Sequence, residues 1–259
     1  MREVLEKIAK GEISIDDAER LLRVLAIEEI GHLAKIDVGR EYRRGIPEII
    51  LAEGKTSEDL AKIAVKMLKE RGRAMISRAT KEQMRMVEKS LPADATSQIY
   101  DKARIIVIKR KDFRVQKTGG KIGILTAGTS DIPVAEEARV VAEEMGCEVL
   151  TAYDVGVAGV HRLLQPLKNM ITEDVDVIVV AAGREGALPS VVAGMVDVPV
   201  IAVPTSIGYG IGEKGVSALI AMLQSCSLGL AVVNIDGGVA AGAVAALIAN
   251  RIARFKKKE

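Results

Sequence analysis

Five short apolar segments recur through the second half of the chain, and stretches with helical periodicity separate them. The segments span residues 122–126, 149–153, 177–181, 200–203 and 230–233. Strands that are apolar throughout are typical of a sheet covered on both faces, and their alternation with helices indicates parallel pairing. We therefore predict an α/β domain with three αβα layers and a five-stranded parallel sheet of the flavodoxin-like or Rossmann-like type.

The first half of the chain is more highly charged, and its pattern is less regular. Strands are predicted at residues 48–52, 74–77 and 104–108, and helices at 57–70 and 81–89, with Ser57 as the cap of the first helix. Residues 4–8 form a further helical stripe, and Ser14 begins another with Leu21, Leu22 and Leu25 inward. The Gly-rich segment 117–121 marks a boundary between a smaller helical and α+β domain, 1–118, and a second domain, 119–259.

Composition limits the partners and the location of the protein. A net charge of +2, an aromatic content of 2% and the lack of Trp argue against a nucleic-acid partner. No uninterrupted apolar run of about 18 residues and no signal-peptide pattern occur, so we expect no membrane partner and a cytoplasmic location. The two cysteines, Cys147 and Cys226, lack metal-ligand spacing, so no disulfide framework and no side-chain metal site are expected. Cys147 begins an apolar segment and is expected to be buried.

The turn after the first strand of this sheet is a candidate site, because ligands of open parallel sheets bind beyond the carboxyl ends of the strands. It contains Gly128, Thr129, Ser130 and Asp131. Gly128 permits a tight turn, and Thr129 or Ser130 can cap the helix that follows. Such a helix start attracts phosphate, and Asp131 could accept hydrogen bonds from a ribose. The alternative is an ordinary capped helix in which Asp131 offsets the helix dipole.

The turn after the second strand carries Asp154, His161 and Arg162. His161 falls in the first turns of a helix that faces the site, so it suits proton transfer, and Arg162 suits an anion. A solvated polar face is the alternative interpretation. The other histidine, His32, lies in a charged helical stretch and is expected to be structural.

The third turn contains Gly183, Arg184 and Glu185. Its glycines can present Arg184 and Glu185 to a ligand, and Glu185 could act as a base if burial makes it a stronger proton acceptor. An exposed Arg–Glu pair would contribute little. The fourth turn begins near Ser206 and contains a Gly-x-Gly-x-x-Gly pattern at residues 210–215. This pattern does not directly follow its strand, so it does not indicate a hydride-transfer enzyme.

Cys226 lies between a helical stretch, 216–223, and the fifth strand, and a Gly-rich turn follows that strand. The turn contains Asn234, Asp236, Gly237 and Gly238. A thiol near a turn of free backbone N–H groups suggests a nucleophile beside an anion site. Cysteine is also a common buried packing residue, and Cys226 considered alone fits that role as well.

These turns, taken in order, resemble the aminoimidazole ribonucleotide (AIR) carboxylase family: Gly128-Thr-Ser-Asp131, Val160-His-Arg162, Ala182-Gly183 and Pro199-Val-Ile-Ala-Val-Pro204. The resemblance to the LarB family, which comprises pyridinium-3,5-biscarboxylic acid mononucleotide synthases, is closer. It rests on Ile36-Asp-Val-Gly-Arg-Glu41, Gly45-Ile-Pro-Glu48, Gly54-Lys-Thr56, Gly183-Arg-Glu-Gly-Ala-Leu-Pro189, Gln224-Ser-Cys-Ser227 and Val233-Asn-Ile-Asp-Gly-Gly238. Each motif is short, but the set is specific and covers nearly the whole chain.

The resemblance implies an activity and a role for several residues. The implied enzyme carboxylates the pyridinium ring of nicotinic acid adenine dinucleotide and hydrolyses its phosphoanhydride, which releases AMP and begins nickel-pincer nucleotide synthesis. CO2 or bicarbonate is the co-substrate, and Mg2+ is held mainly through the substrate phosphates. By motif, Cys226 adds as a thiolate to the ring, and Glu185 removes a ring proton. Ser130 and Asp131 hold ribose or phosphate, and Arg162 and Arg184 bind the charges of the substrate.

The position of Cys226 raises a geometric difficulty for this assignment. Cys226 precedes its strand, so it is expected at the sheet edge opposite the phosphate turns. Either the preceding helix is displaced, or a neighbouring subunit supplies the thiol. AIR carboxylases share sites between subunits in octamers, so the resemblance favours a homo-oligomer, an octamer with shared active sites. Leu228 departs from the proline expected in many relatives.

Two other functions stay open at this point. An AIR carboxylase or mutase of purine synthesis needs no thiol, so Cys226 would be inert. A non-catalytic nucleotide-binding module would use the Gly-rich turns for binding, and replacing Cys226 would have no effect.

Overall fold

The computed structural model describes residues 2–18, 28–30, 34–36, 41 and 44–256. The chain divides into two compact units. The first unit consists of Met1–Ile99 and Ile105–Phe113, and the second of Tyr100–Arg104 and Arg114–Glu259. The boundary between independent domains at residues 118 and 119 stays a prediction.

The beginning of the first unit contains a short helix, α1 (Arg2–Ala9), and an antiparallel strand pair, β1 (Glu28–Ile30) and β2 (Ala34–Ile36). The cap predicted at Ser14 is confirmed, because its Oγ accepts a hydrogen bond from the Asp17 N–H at 3.0 Å. The inward leucines at positions 21, 22 and 25, His32 and the motif residues 37–40 lie outside the described residues.

A four-stranded sheet follows in the first unit, with strand order β3-β4-β6-β5. β3 runs parallel to β4, and β4 runs antiparallel to β6. The predicted strands and helices are present, and β5 is an addition that the sequence did not reveal. The elements are β3 (Ile49–Leu51), α2 (Ser57–Arg71), β4 (Arg73–Ser77), α3 (Lys81–Lys89), β5 (Ala95–Tyr100) and β6 (Ile105–Arg110).

The cap predicted for α2 at Ser57 is wrong by one residue. Thr56 has an extended backbone, as an N-cap requires, and its Oγ1 accepts a hydrogen bond from the Asp59 N–H at 3.1 Å. Ser57 is already helical. Both residues carry a hydroxyl, so the sequence alone did not distinguish them.

The second unit contains the predicted five-stranded sheet, and all its strands are parallel. Its order, β11-β10-β9-β7-β8, is the flavodoxin-like order 2-1-3-4-5. The predicted fold is therefore confirmed. The elements are β7 (Lys121–Thr126), α4 (Ile132–Glu144), β8 (Glu148–Ala152), α5 (His161–Thr172), β9 (Val177–Ala182), α6 (Leu188–Ala193), β10 (Val200–Pro204), α7 (Val216–Leu223), β11 (Leu230–Val232) and α8 (Gly238–Lys256).

Helices cover both faces of this sheet and give it three layers. α5, α6 and α7 pack on one face, where Leu163, Val192 and Met222 join buried residues of the strands. α4 and α8 pack together and contact β7 and β9. The strands β9 and β10 are buried along their whole length, which explains why their apolar runs are uninterrupted.

Helix α8 is long and apolar enough, by length and composition, to cross a membrane. Its residues Ala241, Ala245 and Ala249 are buried within the second unit. At Gly242 a Cβ would lie 2.4 Å from the carbonyl oxygen of Ala138 in α4, so the two helix backbones approach closely. This is the packing of a core helix.

Candidate active site

A cavity of about 630 Å³ lies at the carboxyl edge of the five-stranded sheet. The turns after β7, β8, β9 and β10 line it. β7 and β9 are neighbours at the point where the strand order reverses, and ligands of this fold bind at that point. The predicted site residues in its lining are Gly128, Ser130, Asp131, Arg162, Gly183, Arg184 and Glu185.

Asp131 is only 4% exposed and connects two of the turns. Its Oδ2 accepts a hydrogen bond from the Gly128 N–H at 2.8 Å, and its Oδ1 accepts one from Thr205 Oγ1 at 2.6 Å. Burial raises the pKa of the Asp131 carboxyl, while the hydrogen bonds from Thr205, Gly128 and Gly183 oppose that rise. Asp131 therefore fixes the shape of the cavity as well as lining it.

The predicted cap by Thr129 or Ser130 is wrong. A 3₁₀ turn, Thr129–Asp131, precedes α4, and α4 has no side-chain cap, with a proline in its first turn instead. The Asp131 carboxylate instead accepts a hydrogen bond from the Gly128 N–H at the start of the 3₁₀ turn. Ser130 is exposed and faces the cavity, whereas Thr129 lies outside its lining.

The turn after β8 places Arg162 in the cavity wall through an ion pair. Arg162 Nη1 donates a hydrogen bond to Asp154 Oδ2 at 2.7 Å, and the Asp154 N–H donates to Thr126 Oγ1 at 3.0 Å. Both charged side chains are substantially exposed, so the pair orients Arg162 more than it stabilises the fold. His161 begins α5, is exposed and lies outside the cavity lining.

The turns after β9 and β10 contact each other through their backbones. At Gly183 a Cβ would lie 2.3 Å from the Ile207 carbonyl oxygen, so the approach requires glycine. The Arg184 N–H donates to that same oxygen at 3.2 Å. Glu185 lines the cavity but is exposed, so the described part of this chain does not supply the burial on which its predicted role as a base depends.

Two residues that shape this site, Tyr209 in the cavity wall and the buried Thr205 behind it, were not predicted from the sequence. Tyr209 lines the cavity and lies beneath the Arg184 guanidinium, whose carbon is 4.1 Å from the ring centroid. A tyrosine between Gly208 and Gly210, in a chain with an aromatic content of 2%, was the available signal. Thr205 gave no such signal, because its partner Asp131 is 74 residues away in sequence.

The turn after β11 lies outside the cavity lining. The Ser206 N–H donates to Asp236 Oδ1 at 2.8 Å, and the Ile235 N–H donates to Asn234 Oδ1 at 2.9 Å. At Gly238 a Cβ would lie 2.2 Å from the Val134 carbonyl oxygen, so this glycine is needed where α8 begins beside α4. Gly237 lies in the same turn. The substrate-binding roles of Ser206, Asn234, Asp236, Gly237 and Gly238 stay predictions.

Cys226 is exposed and lies outside the cavity of its own chain. It sits in the segment between α7 and β11, and β11 runs parallel to β10, so it leads into the amino edge of the sheet. Ser227 anchors this segment, because its Oγ donates a hydrogen bond to the Ser190 carbonyl oxygen at 2.7 Å. The exposure excludes the alternative in which Cys226 fills a gap in the core.

Cys147 is buried, as predicted. Its Sγ lies 3.2 Å from Asn250 Oδ1, and burial raises the pKa of its thiol to about 11. Cys147 is therefore a protonated packing residue at neutral pH.

Exposed apolar side chains precede and follow Cys226 in the chain. Val216, Ile220 and Leu223 project from one side of α7, and Leu228 is 92% exposed. We call these four residues the α7 face. Contiguous exposed apolar surface is typical of sites where another molecule binds.

The described residues contain no group of three or more His, Cys, Asp or Glu side chains that could hold a metal ion. Mg2+ is usually bound through one or two carboxylates together with substrate phosphates. A metal held by the substrate thus fits the side chains of this cavity better than one held by a protein cage.

Two family models match most of the chain. The LarB/PurE-like N-terminal domain matches residues 27–111, and AIR carboxylase matches residues 121–259. An uncharacterized protein of Methanocaldococcus jannaschii is 47% identical over 251 residues, which cover 96% of this chain and 96% of that protein. An N5-carboxyaminoimidazole ribonucleotide mutase of Thermotoga maritima is 29% identical over 133 residues, or 49% of this chain and 74% of the mutase. A mutase of the same name from M. jannaschii is 33% identical over 119 residues, or 45% of this chain and 71% of the mutase.

Proposed function

The chain belongs to the LarB family and carries an AIR carboxylase domain, and on that premise we propose that it carboxylates the pyridinium ring of nicotinic acid adenine dinucleotide. In the same proposal it hydrolyses the phosphoanhydride of this dinucleotide and releases AMP and pyridinium-3,5-biscarboxylic acid mononucleotide. The reaction would be the first step of nickel-pincer nucleotide synthesis, in the cytoplasm. Its membership of the AIR carboxylase family makes the protein an enzyme of the carboxylase type.

The observation that carries the proposal is that the same chain has both an arginine-lined cavity and, apart from it, an exposed thiol. The cavity presents Arg162 and Arg184 to an anionic ligand, and its volume suits a small molecule. Cys226 is exposed rather than buried in the core, and the exposed apolar residues Leu223 and Leu228 lie close to it in the chain. An AIR carboxylase needs no thiol, so an accessible cysteine favours the pyridinium chemistry.

The pyridinium ring is electrophilic and cannot attack CO2 by itself. The Cys226 thiolate adds to a ring carbon next to the one to be carboxylated, which forms a C–S bond and removes the positive charge of the ring. The neighbouring enamine carbon then attacks CO2 and forms a C–C bond. A base takes the proton from that carbon, and the thiolate leaves as the ring regains aromaticity. No oxidant or reductant is consumed, and the covalent adduct divides one difficult step into easier ones.

Side chains in and near the cavity have matching roles in this proposal. Glu185 is the base once a second copy of the chain buries it, and His161, outside the cavity lining, assists proton transfer from the start of α5. Ser130 and Asp131 bind ribose or phosphate, with Arg162 and Arg184 on the charges of the substrate. Water then attacks a phosphorus of the anhydride, one P–O bond breaks, and AMP leaves. Mg2+ bound to the phosphates would supply charge neutralisation for this hydrolysis.

The thiol and the cavity are on opposite edges of the sheet, so we infer that a second copy of the chain completes each site. The α7 face would then be buried between copies, and it would bring Cys226 of one subunit to the cavity of another. Homo-oligomers of closed symmetry are the common arrangement for such shared sites. An octamer is the assembly that the AIR carboxylase resemblance implies.

A second candidate function is that of an N5-carboxyaminoimidazole ribonucleotide mutase. It is favoured by the identity of 29% to 33% with proteins of that name. In that reaction Cys226 has no part, so a Cys226→Ala variant would keep full activity. If the protein only bound nucleotides, the Cys226→Ala substitution would also have no effect, and neither the variant nor the wild type would convert substrate.

One assay separates these functions. The purified protein is incubated with nicotinic acid adenine dinucleotide, Mg2+ and labelled bicarbonate, and AMP release and label fixed on the nicotinate ring are followed. We expect both products from the wild type and none from Cys226→Ala, with Cys147→Ala as the matched cysteine control. Wild-type protein that fixes no label would overturn the proposal.

A further inference from the structure

Tyr209 has an unusual position in the cavity wall. Its side chain is 77% exposed although it lines the cavity. An apolar ring left open at a binding site is available to a ligand, because burying that ring on binding is favourable.

The face of this ring already holds a planar cation. The Arg184 guanidinium carbon lies 4.1 Å from the ring centroid, which is a cation–π geometry. A side-chain hydrogen bond with Tyr209 raises the pKa of Arg184, which further ties the guanidinium to this residue. Both side chains are exposed, so a ligand can displace the guanidinium at little cost.

The backbones that carry the pair are fixed, unlike the side chains. Gly183 approaches the Ile207 carbonyl oxygen closely, and the Arg184 N–H donates to that oxygen at 3.2 Å. On the other side, Ser217 Oγ donates to the Arg184 carbonyl oxygen at 2.8 Å. The Ile207 backbone, two residues before Tyr209, is therefore held against the turn after β9 before any ligand binds.

We propose that Tyr209 is the platform on which the cationic pyridinium ring stacks, and that Arg184 occupies this place in the free protein. The proposal rests on the proposed function and adds the part of the substrate that each side chain contacts. The pyridinium is planar and positively charged like the guanidinium, whereas adenine is uncharged. On binding, Arg184 leaves the ring face and pairs with a carboxylate or phosphate of the substrate.

This arrangement makes the site selective for ring charge. A reduced dinucleotide has the same phosphates, riboses and adenine, but its dihydropyridine ring is neutral. The neutral ring makes no cation–π contact with Tyr209, so it displaces Arg184 from the ring less readily. The reduced dinucleotide should therefore bind more weakly than the oxidised one. Tyr209 is thus a specificity-determining residue, and binding measurements reveal its role without turnover.

The test compares the dissociation constants of the oxidised and reduced forms of nicotinic acid adenine dinucleotide by calorimetry, without bicarbonate. In Tyr209→Leu we expect the preference for the oxidised form to fall by about 3-fold to 30-fold, and in Tyr209→Phe to stay near the wild-type value. The matched control is Phe255→Leu, because Phe255 is an exposed ring beneath Arg251 in α8 and should leave the preference unchanged. An unchanged preference in Tyr209→Leu overturns the inference while the proposed function stands.

A second measurement uses the lack of Trp in the chain. In Tyr209→Trp the only indole is the platform itself, so a stacked pyridinium should quench its fluorescence and produce a charge-transfer absorption band. AMP should produce neither effect. A charge-transfer band with the oxidised dinucleotide supports the inference. Fluorescence quenching when AMP is the added ligand would show that adenine stacks on the platform and would overturn the inference. Wild-type protein that binds no dinucleotide would overturn this inference and the proposed function together.

Discussion

The two edges of the five-stranded sheet are built in opposite ways. At the carboxyl edge the turns are joined by close backbone approaches and by the buried Asp131 carboxyl, and they enclose a cavity. At the amino edge the segment with Cys226 is exposed, and the α7 face beside it is apolar. At the carboxyl edge a single chain forms the whole cavity, but no thiol lines it. At the amino edge the chain has the Cys226 thiol, but that thiol lies outside the cavity. In the proposed mechanism, catalysis therefore requires the two edges of different copies to meet.

The largest expected effect breaks the chemistry at the amino edge. Replacing Cys226 with Ala should lower the rate of carboxylation by about 1,000-fold or more, because the nucleophile is removed. Labelled bicarbonate fixed on the nicotinate measures the rate. Cys147→Ala serves as the control, because the Cys147 thiol is buried and protonated. Equal activity of Cys226→Ala and Cys147→Ala would show that the thiol at the amino edge takes no part in catalysis.

The next effect tests whether the α7 face is an interface. A double substitution, Ile220→Asp with Leu223→Asp, puts two charges on that face and should dissociate the oligomer. Because both side chains are exposed in the single chain, the fold should persist. Light scattering measures the mass, and circular dichroism checks the fold. Carboxylation should fall about 10-fold or more although Cys226 is intact, since each buried unpaired charge costs several kcal/mol. Full activity in a dissociated variant would contradict a shared site.

A third comparison stays within the carboxyl edge. Gly183→Ala places a Cβ 2.3 Å from the Ile207 carbonyl oxygen, whereas Gly128→Ala places one 3.6 Å from Asp131 Oδ2. The first should lower the free energy of unfolding by about 2 kcal/mol and the second by less than about 1 kcal/mol. Denaturant titration measures both. If Gly128→Ala were the more damaging, the close approach of the turns after β9 and β10 would not be what shapes the cavity.

The smallest effect concerns the pH dependence that Asp131 adds. Burial raises the pKa of Asp131 above its ordinary value of 3.8, so the folded state holds this proton more tightly than the unfolded state does. The contribution to stability is therefore fully present below pH 3.8 and is lost as the pH rises through the raised pKa. Relative to wild type, Asp131→Asn should gain stability across that window, measured as unfolding free energies from acid to neutral pH. The reverse slope would show that hydrogen bonds outweigh burial at this carboxyl.

The sheet itself was predictable because burial on both faces leaves a direct mark on the sequence. The apolar segment predicted at 177–181 is the strand Val177–Ala182, and its residues are all buried. β5, in contrast, alternates between exposed and half-buried residues and contains Thr96, Ser97 and Gln98. It therefore has no apolar run from which a strand could be predicted. Burial on one side only, on a polar strand, leaves too weak a pattern.

The candidate site was predictable in its turns but not in its contacts. Gly183 and Asp131 were expected beyond the ends of strands, and the structure places them there. That the Asp131 carboxyl points at Thr205 depends on how two turns far apart in the chain meet. The stack of Arg184 on Tyr209 likewise depends on the approach of Gly183 to Ile207. Such contacts are set by tertiary packing, which local sequence patterns do not encode.

Complementation between inactive variants tests the shared site most directly. One variant carries Cys226→Ala, and the other carries Arg162→Ala with Arg184→Ala, all at exposed side chains that should leave the fold intact. The two are dissociated, mixed and reassembled, and carboxylation is compared with that of each variant alone. We expect the mixture to regain activity, because some sites then combine an intact cavity with an intact thiol from another chain. Mixed oligomers that form but stay inactive would contradict it.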